Sequence, residues 1–234
     1  MESKGGRPHE WDVLLAVAHG TRHPAGVNTV LQIVDTLRTA SDDVDVRLAW
    51  VELVEPDLRT ALAAVPPGRR VVVVPLLLSS GYHDRVDIPA AVAAARPDAV
   101  RAAVLGPDPL LAGALADRLA EAGRRAGDPV VLAAAGSSDP AAVAAVHVQA
   151  ELLAAVLDAP VTAAFGSAAE PDVPTAVAAA RPGRVAIAPY LLAPGFFANR
   201  LAEVGADVLA APLGAHPAVV TVARRRFAEA STRS

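Results

Sequence analysis

Two stretches of this chain are near-copies of each other, and only one of them keeps its histidines. Leu14–Gly26 reads LLAVAHGTRHPAG and Val130–Ala142 reads VVLAAAGSSDPAA, so His19 falls on Ala135, Gly20 on Gly136 and Pro24 on Pro140. VVVVPLLLSSGYH (Val71–His83) is answered by VAIAPYLLAPGFF (Val185–Phe197), which lays His83 on Phe197, Pro75 on Pro189 and Gly81 on Gly195. WVELVEPDL (Trp50–Leu58) faces FGSAAEPDV (Phe165–Val173), with Glu52 on Ser167 and Glu55-Pro56-Asp57 on Glu170-Pro171-Asp172. A repeat of roughly 115 residues is far longer than a solenoid period, so the chain folds one unit twice and is not an array. Positions that recur are kept for shape. Positions that do not recur are free to have been kept for reactivity.

Within each copy, short apolar runs alternate with longer Ala/Leu-rich stretches. Val13–Ala18, Val44–Val51, Val71–Leu77 and Ala99–Leu105 read as strands covered on both faces, because polar residues do not alternate along them. Helices are expected near Ala25–Thr39, Asp57–Ala64, Ile88–Ala95 and Pro109–Arg125. The second copy repeats the order: strands at Val130–Ala134, Val161–Phe165, Arg184–Leu191 and Ala206–Ala210, and helices at Ala141–Leu157, Val173–Ala180, Gly195–Glu203 and Pro217–Ala230. Strand–helix alternation implies right-handed crossovers and parallel sheets. The expected fold class is therefore α/β: two similar domains from internal duplication, each a parallel sheet flanked by helices, with a cleft between them. Residues 1–10 read as a flexible tail, 11–127 as an N-terminal domain carrying the site, and 128–234 as a degenerate C-terminal copy. Ser231–Ser234 read as a second tail.

The composition removes several function classes. The formal net charge of −4 gives no global basic field for nucleic acid. With no cysteine, disulfides and thiolate metal sites are excluded, leaving imidazole and carboxylate as ligand types. The first eleven residues carry no apolar stretch of signal-peptide form, and the eight-residue apolar run Val71–Leu78 is too short to span a bilayer. The expectation is a cytoplasmic protein with no membrane or nucleic-acid partner. No GxGxxG, GxxxxGK[ST] or GxSxG pattern is present.

Ligands of open α/β sheets sit beyond the carboxyl ends of the strands. His19 follows the first expected strand, Glu52 ends the second, and His83 lies in the loop after the third. Two imidazoles and a carboxylate at one sheet edge suit a divalent first-row metal, and equally suit proton acceptors near neutral pH. The turn forms with Ala135 in place of His19 and with Phe197 in place of His83, so neither imidazole is needed for the fold. Glu55 recurs as Glu170 and reads as structural, at the start of a helix. His23, next to Pro24, reads as a helix cap; His147 as a boundary residue; His216 as a turn. Arg22, Ser79, Ser80, Gly81 and Tyr82 neighbour the candidate set and are expected to contact substrate. Arg22 or Arg85 would hold a carboxylate. Gly81 and Gly195 suggest a tight turn or a close approach to ligand. Arg224–Arg226, late in the last helix, read as dipole-compensating cations without a site role.

Taken together, these residues resemble the CbiX/SirB family of class II chelatases, over about Val13–Phe227. Ala18-His19-Gly20-Thr21-Arg22 is similar to the family's His-Gly-(Ser/Thr)-Arg opening, and Trp50-Val51-Glu52 with Pro56 to its aromatic-aliphatic-Glu segment. Pro75–Leu78 running to Gly81-Tyr82-His83, then Asp87-Ile88-Pro89, is similar to its second histidine loop. The resemblance is to the long form, which carries both halves in one chain. It implies insertion of cobalt or iron, with nickel a further metal of the family, into sirohydrochlorin for cobalamin or siroheme biosynthesis. His19 and His83 would bind the ion and help deprotonate the macrocycle, with Glu52 assisting and no permanently bound cofactor. Partners would be the tetrapyrrole and the ion. A monomer suffices on this reading, and an oligomer is compatible with it. Three alternatives are a non-catalytic carrier of metal or tetrapyrrole, an unrelated enzyme using His19 as a general base on a small carboxylated substrate, and a regulatory or structural relic, which the intact first-half set disfavours.

Overall fold

Four parallel strands form each of two sheets, and the order within the sheets fixes where the chemistry lies. The computed structural model describes residues 12–232; the tail expected at residues 1–10 lies outside them. The first half runs β1 (Asp12–Ala18), α1 (Pro24–Thr39), β2 (Asp45–Trp50), α2 (Leu58–Ala63), β3 (Arg70–Pro75), a π-helical turn (His83–Asp87), α3 (Ile88–Ala95), β4 (Val100–Arg101) and α4 (Pro109–Glu121). The second runs β5 (Val130–Ala134), α5 (Pro140–Leu157), β6 (Val161–Phe165), α6 (Val173–Ala179), β7 (Ala186–Tyr190), α7 (Phe196–Ala202), β8 (Val208–Leu209) and α8 (Pro217–Ser231). The sheet orders are β2-β1-β3-β4 and β6-β5-β7-β8, the same topology twice.

Local sequence explains most boundaries. Val13–Ala18 of β1 is buried throughout, as a strand sandwiched by helices requires. Pro24, Pro109, Pro140 and Pro217 open α1, α4, α5 and α8, where a missing N–H costs nothing. Asp57 and Asp172 cap α2 and α6 by accepting from the backbone N–H of Thr60 and Thr175, both at 2.7 Å. The N–H and hydroxyl of Thr60 hold the Asp57 carboxyl below the usual carboxylate range, and the hydroxyl and N–H of Thr175 do the same for Asp172. Glu55 and Glu170 repeat each other as expected, accepting from the N–H of Asp57 and Asp172 beside cis Glu55–Pro56 and Glu170–Pro171 bonds.

Several boundaries depart from expectation. The strands expected at Ala99–Leu105 and Ala206–Ala210 pair as ladders only at Val100–Arg101 and Val208–Leu209. Each is an edge with one neighbour, and the chain leaves toward Pro107 or Pro212, which have no N–H to give. Single bonds continue the contact, such as Ala102 N–H to the Val73 carbonyl and Ala210 N–H to that of Ile187. The helix expected to reach Arg125 stops at Glu121, because Gly123 turns left-handed (φ +80°) and the Arg124 N–H closes on the Leu119 carbonyl. Ser231 is not in a tail but ends α8, buried, its hydroxyl donating to the Phe227 carbonyl.

The helices sort into layers that the repeat does not respect. α2 and α3 cover the outer face of the first sheet, and α6 and α7 that of the second. α1, α4, α5 and α8 fill the space between the sheets in one continuous core. There the last helix of each half crosses over. α4 packs on β7 and α5 of the second half, while α8 packs on β3, β4 and α1 of the first. Arg225 and Arg226 are therefore not mere dipole partners. Both pair with buried Asp108, which caps α4, and Arg226 also donates to the Val104 and Leu105 carbonyls. By length and composition alone α5 is apolar enough to cross a membrane. Here it lies against α4 and β6, and its fully buried Gln149 exchanges hydrogen bonds with the backbone of Asp108.

Candidate functional site

The carboxyl ends of β1, β2 and β3 bring three side chains to one edge. In register, Ala18 of β1 faces Trp50 of β2, and Val17 faces Pro75 of β3. Beyond the ladders, the Glu52 N–H donates to the His19 carbonyl at 3.1 Å, and the Leu76 N–H to that of Val17 at 2.8 Å. The loop after β2 returns on itself, its Pro56 carbonyl accepting from the Trp50 N–H, and so holds Glu52 out beside His19. Gly20 makes this possible. Its φ is +106°, and a Cβ there would stand 1.9 Å from the Glu52 carbonyl oxygen. Gly136 does the same beneath Ser167, with φ +98° and a Cβ at 1.8 Å. These are the glycines the turn requires. Gly81 has open space around it and no left-handed φ, and Gly195 is extended (φ 166°), so neither is conformationally forced.

One ligand atom from each of His19, Glu52 and His83 lies within 4.8 Å of the others. An ion about 2.1 Å from each of its ligands would keep them no more than about 4.2 Å apart, so the set needs only a small side-chain rotation to close. The two imidazoles meet edge-on, ring centres 4.2 Å apart. His19 Nδ1 sits 3.2 Å from the Gly20 carbonyl and 3.5 Å from Glu52 Oε1. His83 Nδ1 sits 2.6 Å from Asp87 Oδ2. The polar neighbours of both Nδ1 atoms are acceptors, which favours the Nδ1–H tautomer and leaves each Nε2 lone pair for an ion. Asp87 is one π-turn beyond His83, where the wider turn stacks the two side chains.

This edge opens on a cavity of about 1060 Å³ lined by both halves. His19 and His83 line its first-half wall with all five expected contact residues: Arg22, Ser79, Ser80, Gly81 and Tyr82. Ser80 is also committed within its own loop, its hydroxyl donating to Asp84 at 2.6 Å. Trp50 and Phe165 line the interior, and exposed Phe196 stands on the second-half wall. The positions corresponding to the candidate set offer no such donors in the second half, although Ala135 and Phe197 line the same cavity. The Phe197 ring lies against Gly166, and the Ser167 hydroxyl donates to the Ala135 carbonyl at 3.0 Å.

The CbiX family model matches residues 13–122 and again 129–230. The chain belongs to the CbiX family. The double match is the internal repeat seen independently. SirB from Bacillus subtilis, solved with Fe3+, superposes with a TM-score of 0.83 at 25% identity, covering 94% of this chain and 95% of that one. The sirohydrochlorin chelatase SirB from Bacillus subtilis subspecies spizizenii, solved in complex with cobalt, gives 0.80 at 23% identity over 94% of each chain. A sirohydrochlorin cobaltochelatase of Methanosarcina acetivorans is 37% identical over 78 residues, which is 32% of this chain and 60% of that relative. The chain thus spans less than two thirds of that relative's length.

Two polar groups of this CbiX-family chain have roles that the sequence does not assign. Asp87 has Leu201 in its place in the second half, the same kind of loss that pointed to the histidines. Tyr190 has Leu76 in its place in the first half. Its buried hydroxyl donates to the Leu78 carbonyl at 2.9 Å and lies 3.4 Å from Gln149, bracing the two halves beneath the cleft. Burial pushes its phenol well above the ordinary tyrosine range. Among the remaining histidines, His23 occupies the N-cap of α1 without a side-chain cap bond, and the Thr21 hydroxyl accepts from its N–H instead. His216 caps α8, accepting from the Ala218 N–H, and His147 packs edge-on against Phe165. In the turn Gly136–Asp139 the Ser137 hydroxyl accepts from the Asp139 N–H, and Asp139 caps α5 and stands 3.0 Å from Arg85 of the first half.

Proposed function

We propose that this chain inserts cobalt or iron as the divalent ion into sirohydrochlorin, with His19, Glu52 and His83 receiving the ion. The observation that carries the reading is an incomplete ligand set, drawn wholly from one half, whose two histidines line a cleft built by both. A cavity of about 1060 Å³ is at or above the roughly 300–1,000 Å³ of ordinary small-molecule sites, which favours a macrocycle over a small carboxylated substrate. Membership of the CbiX family and the relatives' names point the same way. Cobalt is named with two of them and iron with the third.

The chemistry follows from the donor set. Two neutral imidazoles and one carboxylate hold a first-row ion without closing its coordination sphere, so ring nitrogens can replace protein ligands. The macrocycle must lose two N–H protons as it gains the dication. Nε2 of His19 and of His83 is the base facing the ring, and each accepts one proton once the ion has passed from it. Asp87 stabilises the imidazolium of His83 as it forms. Arg22 and the Ser79–Tyr82 loop meet the carboxylate-bearing rim of the disc. Tyr82 and Phe196, exposed on opposite walls, offer faces for the apolar plane. The protein would act in the cytoplasm on small molecules, one active site per chain, serving cobalamin or siroheme synthesis according to the metal.

The test is spectroscopic. Purified protein with metal-free sirohydrochlorin and Co2+ or Fe2+ should convert the absorption spectrum over many turnovers. His19→Ala and His83→Ala should each abolish conversion with melting temperature unchanged, since the second half already folds with Ala135 and Phe197. Normal turnover by either folded variant would refute the mechanism. A single stoichiometric spectral change in the wild type would replace it with a carrier.

A further inference from the structure

We infer that the ion and the macrocycle reach this site from different cavities, the ion arriving from behind the histidines. The inference rests on the metal-insertion reading and adds the direction of metal entry. A second cavity of about 310 Å³ lies against the same side chains, walled by Glu52, Asp57, Arg59, His83, Asp87 and Ala90. Glu52 lines this smaller cavity and not the cleft, His19 lines the cleft and not this cavity, and His83 lines both. The candidate ligands therefore form the partition between two spaces.

That arrangement has a chemical direction. Once a flat macrocycle fills the cleft it covers the first-half wall, and an ion approaching from the same side would have to pass the disc. The smaller cavity offers the carboxylate of Glu52, a hard oxygen donor that takes a hydrated ion with little cost, beside the imidazole of His83. His19 lies on the cleft side, and both histidines are better donors for a first-row metal. Three carboxylates and one guanidinium line this cavity, so its field favours cations. Two of the carboxylates have other duties, Asp57 capping α2 and Asp87 bonding His83. Glu52 is the one poised to take the ion.

Charge at the mouth of the smaller cavity tests the route without touching the ligands. Ala90 is an exposed position of α3, and Arg59 an exposed position in the first turn of α2. Ala90→Arg and Arg59→Glu are made in the full chain, and Co2+ association is followed by quenching of tryptophan fluorescence at low ionic strength. Ala90→Arg should slow association about three- to tenfold and Arg59→Glu should speed it, both effects shrinking with added salt. In steady-state assays KM for Co2+ should move in the same sense while KM for sirohydrochlorin stays put. Association unchanged in both variants, or KM for sirohydrochlorin moving instead, overturns the route. If the wild type binds Co2+ but never turns over, the insertion reading fails while the association rates still decide the route.

Discussion

Asp87 gives the sharpest handle on how His83 is used. Its carboxylate lies 2.6 Å from His83 Nδ1 and fixes the tautomer that leaves Nε2 free. A charge-assisted hydrogen bond of this kind contributes about 1.5–3 kcal/mol, and removing such a partner behind a metal ligand typically costs about 10–100-fold in metal affinity. The pair is partly open to solvent, with side-chain exposures of 30% for His83 and 36% for Asp87, so screening favours the lower end. Asp87→Asn keeps an acceptor and loses the charge; we predict Co2+ binding about tenfold weaker by calorimetric titration. Asp87→Leu copies the second half, where Leu201 is accommodated and buried, and removes the acceptor altogether. It should bind Co2+ more weakly still, with an undiminished melting temperature. Wild-type affinity in a folded Asp87→Leu variant would show that Nε2 of His83 is not presented through Asp87, and the tautomer argument would fall.

Other perturbations separate shape from chemistry. Gly20→Ala and Gly136→Ala should each lower stability by about 1–3 kcal/mol from backbone strain alone, read from denaturant unfolding. Only Gly20→Ala should also weaken Co2+ binding, because it displaces Glu52, and equal Co2+ affinity in both would contradict the site. Tyr190→Phe leaves the Leu78 carbonyl without its donor and should cost about 1–2 kcal/mol. Because burial raises the Tyr190 phenol, the native state holds this proton more tightly than the unfolded chain. Its contribution is therefore full below pH about 10 and fades as pH rises further, so alkaline melting curves should fall more steeply for wild type than for Tyr190→Phe.

The candidate site was legible because the duplication supplied an internal control. His19, Glu52 and His83 stood out as chemistry missing from a copy that keeps the same turns, and strand order alone brought them to one edge. Asp87 obeyed the same rule, but a carboxylate early in a helix has so many ordinary uses that its replacement by Leu201 drew no notice. Tyr190 is silent for a different reason. Reactive groups show as losses from the second half, and a tyrosine in place of Leu76 is a gain. A repeated Gly can mark either conformational need or open space for a ligand, and only φ separates Gly20 from Gly81. Nor does a sequence say which sheet an amphipathic helix will cover. The patterns of α4 and α8 predict a buried stripe without naming its partner, so the crossing of these two helices was invisible until the layers were seen.

That crossing bears on how such a gene can change. Cutting the chain after the first copy would peel α8 from β3 and expose apolar surface on the very sheet that presents both imidazoles. The silent copy is thus free to shed its reactive groups, as Ala135, Ser167 and Phe197 record, while its last helix stays in service as a cover for the sheet of its working twin.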